Sequence, residues 1–139
     1  MGQRGEVRRY WLDTSLILRL LTGQPDNLAE KALEVFQKAE QGAYVLRTHP
    51  LVVAEAFYTL TSFYRVSKGE AALALLELLD REGVELLDEE AVRQALNEAA
   101  RGGLSFVDAF LLSCSQASGE GLASLDGKLR KRTPKRLPS

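Results

Sequence analysis

A single cysteine and a single histidine occur in the 139 residues. Cys114 lies inside the apolar run Phe110-Leu111-Leu112-Ser113-Cys114, which excludes a disulfide framework and a Cys/His metal cluster and suits a reducing, intracellular setting. His49 has no partner His or Cys that would make it a convincing catalyst, and stands as a loop residue before Pro50. Met1 to Arg9 carries charge where a signal peptide needs an apolar stretch, and no window is long and apolar enough to span a bilayer. Internal repeats and low-complexity segments are also missing. Together these absences predict a soluble, cytoplasmic protein with no membrane partner.

What is present is ordinary globular composition. Hydrophobic residues make up 45% of the chain and charged residues 27%, far from the depleted composition of a disordered segment. The length suits one domain over residues 1–139, large enough to bury its own core. The net charge of −1 hides an uneven distribution. Residues 128 to 136 hold six basic groups, among them Lys128, Arg130, Lys131 and Arg132, with Lys135 and Arg136 beyond, and Arg4, Arg8 and Arg9 add three near the start. Residues 10 to 127 carry nine basic and eighteen acidic side chains. An acidic body with basic ends suits a polyanion-binding rim beside an acidic site, although a basic tail can equally be a solvated terminus.

Along the chain, Val7 to Leu12 reads as a strand, and Thr14 to Leu21 as a helix stopped by Gly23 and Pro25. A helix from Asp26 or Asn27 to about Gln41, a strand over Ala43 to Arg47 and a helix from about Leu51 to Tyr64 follow. Lys68 to Arg81 is helical, Val84 to Leu87 a third strand, and Glu89 to Ala100 and Ser105 to Ala117 two further helices. Leu122 to Leu125 reads as a fourth strand, broken by Asp126-Gly127. Strands alternating with helices predict an α/β fold whose sheet is mostly parallel and covered on both faces. Ligands of such sheets collect at the carboxyl ends of the strands.

Four acids draw attention for that reason. Asp13 follows the first strand and precedes a helix, where it can serve a site or cap the helix. Glu55 sits among Val52, Val53, Ala54, Ala56, Phe57 and Tyr58, on a helix that reads as buried on most sides, where an ionised carboxylate requires compensation. Asp108 lies three residues after Ser105, as in a capping box, but within an apolar helix start. Asp126 ends the fourth predicted strand in an Asp-Gly turn dipeptide. Carboxylates crowded into one crevice repel one another and raise each other's pKa unless a multivalent cation neutralises them. Oxygen-only ligands select a hard cation, Mg2+ or Mn2+.

Leu12-Asp13-Thr14-Ser15, Ala54-Glu55, Phe106-Val107-Asp108-Ala109 and Ser124-Leu125-Asp126 resemble, in order and spacing, the acidic motifs of PIN domains. The resemblance covers nearly the whole chain and is closest in size and layout to the VapC-like toxins of toxin–antitoxin pairs. It implies a three-layer α/β fold with a mostly parallel sheet of four or five strands and helices on both faces. It also implies a metal-dependent endoribonuclease with Asp13, Glu55, Asp108 and Asp126 as the catalytic, metal-holding quartet. Thr14 or Ser15 matches the hydroxyl position after the first acid and Ser124 the hydroxyl before the last, supporting the ligands or positioning water. The family often has Asn where this chain has Ser15. Lys128, Arg130, Lys131 and Arg132, just past the last acid, would hold the RNA backbone of a single-stranded or structured substrate. A cognate antitoxin and a homodimer are the implied protein partners. The aromatic residues lie at strand or helix spacing and suit core and partner surface better than base stacking.

Other magnesium-binding α/β classes fit poorly. A response-regulator receiver needs an Asp after the middle strand, where this chain has Thr48-His49, and a haloacid-type phosphatase needs Asp-x-Asp where it has Asp13-Thr14-Ser15. The alternative that stays open is a PIN domain that is not a toxin and serves in RNA maturation or as an RNA- or protein-binding scaffold.

Overall fold

The computed structural model describes residues 7–133. Three parallel strands, β1 (Arg9–Trp11), β2 (Val45–Thr48) and β3 (Val84–Leu86), form an open sheet in the order β1-β2-β3. Two helices make each crossover: α1 (Thr14–Thr22) and α2 (Asp26–Glu40), then α3 (Pro50–Ser62) and α4 (Lys68–Leu79). After β3 come α5 (Glu89–Gly102), α6 (Phe106–Ser118) and the short α7 (Gly127–Arg132). This is the expected α/β arrangement, a parallel sheet with helices around it. Among the described residues no helix is long and apolar enough to cross a membrane.

Helix ends follow local chemistry. Gly23 ends α1 in the left-handed conformation (φ 71°), and Pro50 opens α3, where its missing N–H costs nothing. Ser67 caps α4: its Oγ accepts from Glu70 N at 3.1 Å and donates to Glu70 Oε1 at 3.3 Å. Gly83, at φ +87°, carries the chain from α4 into β3. A Cβ there would sit 2.5 Å from Ala39 O, so the position requires glycine.

The core lies between sheet and helices. Leu46 on the central strand packs in one cluster with Ile17, Phe36, Val53, Leu75, Leu96 and Phe106, all buried. Each such side chain stabilises the fold by about 1.5–3 kcal/mol relative to leaving it exposed. Helix α5 packs against both α4 and α6, and α1 against α2, so the second half of the chain is a helical layer set on the first.

The sheet is smaller than expected. The predicted fourth strand, Leu122–Leu125, is reduced to a single bridge residue at Leu122, which leaves three strands among the described residues rather than four or five. Ser124 is engaged in the turn that follows. Ser124 Oγ accepts from Asp126 N at 2.9 Å and the Ser124 carbonyl accepts from Arg130 Nη1 at 3.1 Å, while Leu125 is 95% exposed. A segment recruited into a turn in this way has no ladder to join. The residues read as a basic tail begin instead as α7, pinned by Leu129 and Thr133, both buried.

Candidate active site

Asp13 leaves β1 at its carboxyl end and caps α1, its carboxylate accepting from Ser15 N at 3.2 Å and from the Ser15 hydroxyl. The Ser15 hydroxyl hydrogen bond, reinforced by its amide, holds the Asp13 carboxyl below the usual carboxylate range. Capping and exposure thus coexist in Asp13: the group is charged, solvent-facing and pre-oriented. The next residue, Thr14, is buried and donates from Oγ1 to Glu55 Oε1 at 2.6 Å.

Glu55 does not lie where the sequence suggests. It was expected among buried neighbours, yet it is exposed. Leu51 and Tyr58 are 73% and 69% exposed and lie four residues before and three after Glu55, on the same outward face of α3. The apolar neighbours of Glu55 are therefore partly surface, and no buried charge has to be compensated.

Asp108 is half-buried in the first turn of α6, where its amide donates to Ser105 Oγ at 3.3 Å. The reciprocal bond of a capping box, from the acid to Ser105 N, is not formed among the described residues. Asp108 lines a groove of about 450 Å3 together with Asp126, Ser105, Lys68 and Lys128. Asp126 caps α7, with Oδ1 accepting from Lys128 N at 2.8 Å and Leu129 N at 3.3 Å. A larger hollow of about 650 Å3 between α5 and α6 is lined by Asp88, Glu89 and Glu90 at the start of α5, where acids complement the helix dipole; none of the four candidate acids lines it.

The four acids are thus gathered two by two. The segment Asp13–Ser15 reaches Glu55 through the Thr14 hydroxyl, and Asp108 and Asp126 line the same groove. Every candidate hydroxyl touches an acidic residue: Ser15 and Thr14 as described, and Ser124 through the Asp126 amide. A family model described as the PIN domain matches residues 10–133, the span that contains all of these groups. The chain belongs to the PIN domain family. No curated protein and no solved structure matches it. PIN domains are generally nucleases acting on RNA or DNA, and typically depend on a divalent metal.

The side chains of this PIN domain fit a hard cation in chemistry, offering carboxylate and hydroxyl oxygens without thiol or imidazole. Among the described residues no three Asp, Glu, His or Cys side chains converge closely enough to form a cage. Magnesium does not require one, since it keeps several waters and takes one or two carboxylates together with substrate phosphates. Asp108 and Asp126, which line one groove, are the residues that could supply such carboxylates.

The basic residues divide. Lys128 lines the groove, and Lys131 is exposed. Arg132 instead pairs with Glu98 on α5, and Arg130 is committed to the Ser124 carbonyl. Lys135, Arg136 and Arg4 lie outside the described residues. At the other end of the PIN domain, Arg9 and Arg47 approach Glu85 to 3.4 and 3.5 Å, and the Arg47 guanidinium lies 4.9 Å from the centre of the exposed Trp11 ring. Sequence reasoning passed over Lys68, which lines the groove of Asp108 and Asp126 from the start of α4. Its only signal was a cation in the first turn of a helix, where an anion is favoured.

Proposed function

We propose that this PIN domain is a magnesium- or manganese-dependent endoribonuclease and acts as the toxin of a toxin–antitoxin pair. The observation that carries the nuclease proposal is the groove in which Asp108 and Asp126 stand beside lysines, with Asp13 and Glu55 held by hydroxyls on the preceding elements. A bound divalent cation would supply an activated water and neutralise charge building on the phosphate. The chain's own groups then have distinct tasks. Asp13, kept ionised by Ser15, and Glu55, oriented by Thr14, provide fixed negative charge at the carboxyl end of β1. Asp108 and Asp126 provide it in the groove, and Lys128 holds the RNA backbone there. No serine or histidine nucleophile is needed; His49 is occupied capping α3, its Nδ1 accepting from Leu51 N at 3.0 Å.

Size and motif layout support the toxin role, and the exposed Leu51, Tyr58 and Phe63 suit an antitoxin or a second copy of the chain. The pairing of acids two by two, with no cluster of three among the described residues, favours a second reading, a PIN domain that binds RNA without cutting it. Single-stranded RNA incubated in manganese separates the two. Cleavage by the parent and none by Asp108→Asn supports the nuclease; tight binding without cleavage supports the scaffold. A neighbouring gene for a small DNA-binding protein that relieves growth arrest on co-expression identifies the toxin role.

A further inference from the structure

Lys68 opens α4 in its first turn, where a positive charge opposes the helix dipole, so its placement gains nothing for the helix. Its ammonium donates to Gly103 O at 2.8 Å, reaching the loop that leads into α6. That bond uses one of three N–H donors. Lys68 thereby lines the groove of Asp108 and Asp126, as does Lys128. Among the described residues no ion pair joins either lysine to either carboxylate. Charges of both signs share one groove without neutralising each other. That arrangement suits a ligand that carries negative charge and itself recruits a cation, as a phosphodiester does.

We propose that Lys68 binds a non-bridging phosphate oxygen of single-stranded RNA in this groove, beside Asp108 and Asp126. The Gly103 carbonyl holds the ammonium in place, and Lys128, which lines the same groove, takes the same backbone. The identity of the polymer rests on the nuclease proposal above. The competing role for Lys68 is a structural tie between α4 and the loop before α6, and a variant that can still donate to a carbonyl separates the two.

The test uses the full chain, a single-stranded RNA oligonucleotide of mixed sequence and EDTA throughout, so that binding is read without cleavage. Lys68→Gln keeps a donor for Gly103 O and loses the charge; Lys68→Arg keeps the charge. In a salt series from about 50 to about 200 mM, Lys68→Gln should lose about 0.7 in the slope of log affinity against log salt, and Lys68→Arg should retain it. Thermal midpoints of the two variants should match the parent. In cleavage assays Lys68→Gln should raise KM more than it lowers kcat. Binding curves for Lys68→Gln that superimpose on the parent's overturn the inference, as does a loss shared equally by both variants with a falling midpoint. A parent that does not bind RNA also overturns it. A parent that binds with a Lys68-dependent slope and does not cleave leaves the inference standing and removes the nuclease proposal.

Discussion

Thr14 Oγ1 donates to Glu55 Oε1 at 2.6 Å, joining the first turn of α1 to the middle of α3 across 41 residues of sequence. Thr14 is buried and Glu55 exposed, so the hydroxyl comes from the rigid side and fixes an otherwise mobile carboxylate. Removing a group that orients a metal-holding side chain typically costs 10–100-fold, about the size expected here. Thr14→Val preserves the packed volume and should lower RNA cleavage by roughly that factor, with Thr14→Ser restoring it. Full activity in Thr14→Val would show that Glu55 needs no orienting partner.

Asp13 caps α1, and substitution can separate that role from the one proposed for it in the site. Asparagine caps a helix about as well as aspartate, whereas alanine at a cap costs about 1 kcal/mol. Asp13→Asn and Asp13→Ala should both abolish cleavage, and only Asp13→Ala should lower the urea midpoint. Cleavage at the parent's rate by Asp13→Asn would remove the residue from the site.

Glu98 anchors α7 through Arg132, and that hydrogen bond holds its carboxyl below the ordinary glutamate range. A depressed carboxyl means that the folded chain binds fewer protons than the unfolded chain near the ordinary value of about 4.3, so stability falls as pH falls. The contribution is complete above that value and is lost as pH drops through the lower, folded one. Denaturant midpoints measured from about pH 6 to about pH 3 should therefore fall less steeply for Glu98→Gln than for the parent. Parallel profiles would show that the ion pair contributes nothing to the acid limb.

Most of the fold was legible because its signals are local. Gly23, Pro50 and Gly83 punctuate the chain wherever they stand, and the six longer helices fall close to their predicted limits. The misses come from tertiary contacts. Leu122–Leu125 has strand composition, but Arg130 takes the Ser124 carbonyl and the Asp126 amide its hydroxyl. Asp126-Gly127 was legible as a turn, and only the burial of Leu129 and Thr133 shows that it starts a helix. Periodicity places Leu51, Glu55 and Tyr58 on one face of α3; which way that face points depends on how α3 packs. The acids themselves stand out in the sequence, whereas Lys68 joins Asp108 and Asp126 only after α4, α6 and α7 have packed.

The buried hydroxyl of Thr48, at the carboxyl end of β2, has no hydrogen-bond partner among the described residues. An unsatisfied polar group of this kind costs about 1–3 kcal/mol, and an apolar group of the same shape removes the penalty. Thr48→Val should raise stability by about 1 kcal/mol in urea unfolding. A destabilised Thr48→Val would reveal a partner for the hydroxyl, such as a buried water.

The central claim is that paired carboxylates work through a divalent cation to cut RNA. Its most direct measurement is the cleavage rate of the full chain on single-stranded RNA, first in excess EDTA and then as magnesium or manganese is added back. Activity absent in chelator, restored in saturable fashion by either ion and missing in Asp108→Asn at every ion concentration, is the predicted result. Undiminished cleavage in excess chelator would contradict it.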